Sequence, residues 1–232
     1  HPFGPAPWIS FDWTSRDYDS VEIYNGSAGW DRFDYQAMMG FVCDIGLGMK
    51  LTALGGSDNH RVNIEPPGGL TDPPLGWPTS YVFGAELSWP TIIAGLDRHR
   101  TGVSDTGEPL EWDIHGADGS WLGMSGDSGD SSSVRWGKGS GTLNNTTKSR
   151  VIQILKVSPD SCDDTRMIGE QVVPVPDYEV VFEARVEPGE AFSHVFAVEA
   201  SAGDAFIAWL HPGTDRVLQQ YGVAYTSPIW AE

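Results

Sequence analysis

Between Asp31 and Gly46, apolar side chains return every four positions, at Phe33, Ala37, Phe41 and Ile45. That step suits a helix lying on a sheet, because residues about one turn apart share a face. A short strand-like run, Asp19 to Tyr24, precedes it and ends in the turn pair Asn25-Gly26. After the helix, Lys50 to Leu54 is short and apolar and runs into Gly55-Gly56. This is the pattern of a buried parallel strand emptying into a loop. Pro66 to Pro78 is a loop rich in proline and glycine. Trp89 to Arg100 predicts a second helix, with Pro90 in its first turn, where the missing N–H would have no intrahelical partner anyway. Strand and helix thus alternate up to about residue 104.

Near Pro109 the period changes. Leu110 to Ile114, Arg150 to Val157, Val172 to Val186, Ser193 to Ala200 and Ala205 to Leu210 all read as strands separated by turn residues. Helical spacing is absent, and the pattern predicts an antiparallel β-sandwich. Gly116 to Thr147 is rich in Gly and Ser and predicts long loops around short strands. Within it, Gly137-Lys138-Gly139-Ser140-Gly141 lacks the spacing of a phosphate-binding loop and reads as a flexible turn. The pattern divides the chain into residues 1–104 and 105–232.

Composition narrows the functional classes. The chain has 232 residues, with 40% apolar residues and 10 Trp, enough for a packed core. Against 32 acids stand 14 bases, a net charge of −18, so nucleic-acid backbones are repelled. The acids are scattered, which is the pattern of a solvated surface. No apolar stretch is long enough to predict a membrane span, and His1-Pro2-Phe3-Gly4-Pro5 has no signal-peptide pattern. Cys43 and Cys162 match no zinc or redox spacing and read more readily as two free thiols than as a disulfide. Sequons at Asn25, Asn144 and Asn145 are weak glycosylation signals. An extracellular or periplasmic location is the expectation.

The sharpest candidate for chemistry is Gly55-Gly56-Ser57-Asp58-Asn59-His60-Arg61, directly after a predicted strand. Carboxylate oxygen and imidazole nitrogen two residues apart in a loop mouth can aim at one Zn, Mn or Fe ion. The same spacing also fits an ordinary strand-end turn, with Asp58 capping a helix and His60 exposed.

Further motifs accompany it in order. His1-Pro2 is followed by Asp19-Ser20-Val21-Glu22-Ile23-Tyr24-Asn25-Gly26, then the helix, the apolar strand and the Gly55–Arg61 motif. Gly76-Trp77-Pro78-Thr79, the Ile92–Ser104 stretch and the closing Thr226-Ser227-Pro228-Ile229 come next. This order resembles the later half of PHP-type (polymerase and histidinol phosphatase) metal-dependent phosphoesterases, in particular the CehA/McbA-like branch. The resemblance implies the C-terminal part of a distorted (β/α)7 barrel, followed here by the β-sandwich. It implies divalent metal ions held by His1, Asp58 and His60. Glu22 and Asn25 would stand near the site without being ligands. Arg61 would neutralise a phosphate or pair with a neighbouring acid. Arg100 falls on the family's Gly-Arg position, with His99 in place of the glycine, and reads as structural.

The family's early H-x-H pair and its intermediate His and Glu ligands have no counterpart. His99, His115, His194 and His211 fall too late and read as surface or satisfied histidines. The expectation is therefore a metal-dependent hydrolase of phosphoester, ester or carbamate bonds with the N-terminal half of its site missing. A missing N-terminal segment, a partner chain or self-association would cover the open barrel edge. The substrate would be a small phosphoester. Two other classes remain: a non-catalytic extracellular structural or binding protein, and copper chemistry at an N-terminal His1.

Overall fold

The computed structural model describes residues 17–26, 29–59, 75–106, 108–144, 146–162, 164–168, 171–212 and 223–232. The first unit is β1 (Ser20–Asn25), α1 (Arg32–Gly46) and β2 (Thr52–Gly56), with the two strands parallel. Asp31 caps α1 by accepting from the Phe33 and Asp34 N–H groups, and Asp34 reaches back to the Asp31 N–H. This reciprocal cap satisfies orphan donors at the helix start and fixes where the helix begins.

An eight-stranded sheet forms the middle of the molecule. Its main path runs β12 (Glu179–Val186), β9 (Arg150–Val157), β14 (Ala205–His211), β15 (Ala224–Thr226), β4 (Thr101–Ser104) and β3 (Thr79–Val82), all antiparallel. Off this path, β16 (Ile229–Ala231) pairs with β14 and with the short β7 (Ser128–Gly129). The second helix, α2 (Trp89–Asp97), joins β3 to β4 and is capped by Ser88. A four-stranded antiparallel sheet has the order β13 (Ala191–Ala197), β8 (Trp136–Thr142), β5 (Glu111–His115) and β6 (Trp121–Met124). β10 (Asp164–Ile168) and β11 (Gln171–Val175) form a separate two-stranded antiparallel sheet, with β11 against α1.

The layers follow from β14. Its seven residues, Ala205 to His211, are all buried. Ala205, Ile207 and Trp209 join one core with Val21, Ile23, Phe41 and Ile45 from the β1–α1–β2 unit. Phe206, Ala208 and Leu210 join a second core with Trp112 and Ile114 from the four-stranded sheet. A strand apolar on both faces needs a cover on each. The result is three layers: the β1–α1–β2 unit, the central sheet and the four-stranded sheet.

The expected part of a (β/α)7 barrel does not form. Among the described residues the architecture is β-rich, with two helices and mostly antiparallel pairing. The reason lies at the outer edge of β2, where a barrel would add another parallel strand. Three hydroxyls take that edge instead. The Ala53 N–H donates to Ser227 Oγ (3.0 Å), and Thr101 Oγ1 donates to the Ala53 carbonyl (3.0 Å). Ser80 Oγ accepts from the Gly55 N–H (2.8 Å) and donates to its carbonyl (2.7 Å). With its outward backbone groups satisfied, β2 ends its ladder. The central sheet takes β3 and β4 from before residue 105 together with β7, β9, β12, β14, β15 and β16 from after it.

Three local expectations also change. Gly137 to Gly141 is the body of β8, paired on both sides, rather than a flexible turn. A Cβ at Gly137 would lie 2.2 Å from Trp112 Cη2, so glycine here lets the Trp112 ring lie flat on the strand. Val172 to Val186 divides into β11 and β12 around Pro176-Asp177-Tyr178, because proline cannot donate to the ladder. Cys43 and Cys162 form a disulfide, with Cα atoms 5.0 Å apart, rather than two free thiols. It ties α1 to the segment after β9, where the Asp160 N–H also donates to the Gly46 carbonyl (2.8 Å).

Candidate functional site at the β1–β2 strand ends

Because β1 and β2 run parallel, their C-terminal ends open at the same place. The register pairs Asn25 with Gly56, the last residues of the two strands. Side chains that leave these ends share one mouth, the usual position of functional groups in α/β units. Asp58 lies two residues past β2, solvent-exposed, at φ 51°. This left-handed conformation is uncommon outside glycine, asparagine and aspartate and turns the chain sharply out of the strand.

Glu22 approaches the same end. Its Oε1 would stand 2.9 Å from a Cβ at Gly56, so glycine there leaves room for the carboxylate. Gly26 admits a second close approach: a Cβ at this position would lie 2.0 Å from the Trp77 carbonyl oxygen. The Trp77-Pro78 segment therefore presses on the end of β1 and bounds the mouth on that side.

Beneath the mouth, Asp34 holds β1 to α1. It is buried and accepts from the Asn25 N–H (2.9 Å) and the Asp31 N–H (2.8 Å). Burial pushes its pKa well above the usual carboxylate range, against the lowering effect of those two donors. The D-x-x-D spacing of Asp31 and Asp34 is a cap signal that sequence reasoning passed over. Asp34 fixes Asn25 by its backbone, so Asn25 serves the strand end through position.

A second polar cluster closes the contact between β1 and the central sheet. Tyr24 donates to Asp105 Oδ2 (2.7 Å), and the Val223 N–H donates to Asp105 Oδ1 (2.7 Å). Burial and then the Asp105 charge push the Tyr24 hydroxyl well above its ordinary pKa, which keeps it a donor. Arg150, also buried, lies within electrostatic reach of both groups.

Of the residues singled out for chemistry, Asp58 stands at the mouth, with Glu22 and Asn25 on the neighbouring strand. His1, His60 and Arg61 lie outside the described residues. Arg100 is held elsewhere: its Nε donates to Asp127 Oδ1 (2.7 Å) in a half-buried ion pair. Beside it, His99 Nδ1 lies 2.8 Å from Thr52 Oγ1, at the opposite end of β2 from Asp58. His99 has φ 57°, a left-handed conformation that glycine would adopt freely. The other histidines sit in aromatic stacks. His115 lies on Trp136 (3.8 Å between ring centroids), His211 on Trp209 (3.9 Å), and His194 between Phe182 and Phe192 (5.6 and 6.0 Å).

For a metal ion, the described donors at the mouth are oxygens, which suit a hard divalent cation. Among the described residues no three His, Cys, Asp or Glu side chains come together to hold one. No described helix is long and apolar enough to cross a membrane. No family model, no curated protein and no solved structure matches the chain.

Proposed function

We propose that this chain carries the later part of the site of a divalent-metal-dependent hydrolase acting on phosphoester, or related ester or carbamate, bonds. The observation that carries the reading is the mouth of the parallel β1–β2 pair. There the exposed Asp58 stands in a left-handed turn two residues past β2, and Glu22 approaches Gly56 at the same strand end. The order of motifs that resembles PHP-type phosphoesterases supports the same reading, without the barrel. His1, Asp58 and His60 would hold the metal, which lowers the pKa of a bound water and neutralises phosphoryl oxygens. Asp58 offers a solvent-exposed carboxylate, and Arg61 follows it as a candidate contact for a substrate phosphate. The Cys43–Cys162 disulfide supports a location outside the cytosol.

The test is elemental analysis after dialysis against Zn, Mn or Fe, with turnover of an aryl phosphate measured alongside. The expected result is metal retained by the wild type and lost in Asp58→Ala and in His60→Ala. Metal content that both substitutions leave unchanged overturns the site. Retained metal without turnover of aryl phosphates, esters or carbamates overturns the activity.

A further inference from the structure

We propose that His99 is a proton-sensitive latch: its neutral ring holds the start of β2 to the central sheet, and acid slackens that hold. Three elements meet on this one side chain. His99 itself lies in the turn from α2 into β4. Its Nδ1 stands 2.8 Å from Oγ1 of Thr52, the first residue of β2. Its ring meets Trp230 of β16 edge-on, with 5.5 Å between centroids. The backbone is pinned as well. A Cβ at Gly126 would lie 2.4 Å from the His99 carbonyl carbon, so the turn is pressed against the connection between β6 and β7.

The surroundings suit a neutral imidazole. Thr52 has one hydroxyl hydrogen, which it gives to the Leu96 carbonyl (3.3 Å) or to a bare Nδ1. In the first case the ring donates from Nδ1 to Thr52; in the second it accepts. A neutral ring completes either arrangement. A cation already shares the Trp230 ring: Lys50 Nζ lies 5.5 Å from its centroid. Protonation of the half-buried His99 therefore places a second positive charge around one indole. The neighbouring acids are mostly engaged. Glu232 pairs with Lys50 (2.8 Å), and Asp127 pairs with Arg100 (2.7 Å). Arg98 precedes the histidine and adds a further cation to the turn. Burial, and then the Lys50 charge, push His99 below its ordinary pKa against the opposing pull of Asp19 and Asp97.

The sign follows from linkage. A group with a lower pKa in the folded state binds more protons when unfolded, so its contribution to stability grows with pH. The latch is complete at neutral pH and is lost as the pH falls below about 6.5, the ordinary histidine value. The opening is local. The Thr52 N–H donates to the Asp19 carbonyl (2.9 Å), which joins the start of β2 to the segment entering β1. Releasing Thr52 loosens that joint, where the β1–α1–β2 layer meets the turn before β4 and the closing strand β16. The candidate mouth lies at the other end of β2, so this inference stands apart from the hydrolase reading.

The test combines an NMR titration of the His99 ring, assigned through its contacts with Thr52 and Trp230, with amide hydrogen exchange. The wild-type ring should titrate below about 6.5. Its midpoint should rise in Lys50→Met, which removes an exposed cation and leaves the core intact. Exchange is compared at about pH 7.5 and about pH 5 after correction for the intrinsic rates, so that it reads local opening. The Thr52 amide should lose protection in acid, while amides of β5 and β8 keep theirs. In His99→Gln, which keeps a polar group without the titration, Thr52 protection should be the same at both pH values. A wild-type midpoint at or above about 6.5 overturns the proposal. So does Thr52 protection that acid leaves unchanged in the wild type, or an acid loss that persists in His99→Gln. The titration and Lys50→Met decide the matter even where His99→Gln fails to fold.

Discussion

On one face of the central sheet the β1–α1–β2 layer adds polar fastenings to the apolar core it shares with β14; on the other the four-stranded sheet packs through apolar side chains. The first contact uses Ser80, Thr101 and Ser227 on the edge of β2, and Tyr24 on Asp105. The second uses Trp112, fully buried in one core with Phe206, Ala208 and Leu210 of β14, with its Nε1 lacking any hydrogen-bond partner among the described residues. The difference separates two tasks. Dry packing contributes stability in proportion to buried apolar area and tolerates small displacements. Directional hydrogen bonds to a buried backbone contribute less net free energy but fix position, since a buried group left unpaired is costly. The layer that carries the candidate site is the one held in position.

The comparison predicts a ranking of substitutions. Trp112→Ala should give the largest loss, about 3–5 kcal/mol, because the cavity adds to lost transfer energy. Urea unfolding followed by fluorescence measures it, and a loss under about 1 kcal/mol would mean the four-stranded sheet is not the dry anchor. Replacing both Cys43 and Cys162 with Ser should follow, at about 2–4 kcal/mol, because the bond closes a long loop in the unfolded chain. The sequence separation it spans is 119 residues. The same unfolding assay under reducing conditions should give the wild type nearly the same deficit.

Ser227→Ala probes the polar fastening and should cost about 1–3 kcal/mol, the range for a buried donor left unpaired. Its distinguishing readout is hydrogen exchange: the Ala53 amide, which donates to Ser227 Oγ, should lose protection while Trp112 and its neighbours keep theirs. Uniform loss of protection across both layers would mean that the two contacts unfold together and do different work only in appearance.

The sequence made the first helix and its flanking strands legible because they are set locally. The four-residue apolar step, the Asn25-Gly26 turn and the run into Gly55-Gly56 identify β1, α1 and β2 within a residue or two. Some later strands were legible for the same reason: β9 matches Arg150–Val157 residue for residue and β14 extends Ala205–Leu210 by one residue, whereas Val172–Val186 divides in two. The barrel reading failed because pairing is non-local. Nothing in the Thr79–Val82 or Thr101–Ser104 segments tells that α2 joins antiparallel strands, or that three hydroxyls end the β2 ladder. β8 was missed because its glycines serve Trp112, a residue of another strand. Of the candidate site, the strand end and Asp58 were legible; the supporting role of Asp34 was available in the D-x-x-D spacing and passed unread.

His99 gives the smallest and most specific test of how β2 is held, because two opposing terms meet in one residue. Its Nδ1 lies within hydrogen-bond distance of Thr52 Oγ1, and its ring meets Trp230 edge-on at 5.5 Å, which fastens the start of β2. Its φ of 57° is a conformation that side chains with a Cβ adopt at a cost. His99→Ala loses the imidazole contacts and keeps the strained backbone. His99→Gly loses the same contacts and relieves the strain, although glycine gains entropy in the unfolded chain. Strain of this kind is worth about 1 kcal/mol or more, so the glycine variant should be the more stable of the two by up to about 1 kcal/mol. Both should fall below the wild type. Paired urea midpoints measure the difference. If alanine proves the more stable, the backbone has left the left-handed region once the imidazole is gone. The Thr52 contact, rather than the turn, would then be what holds residue 99 in place.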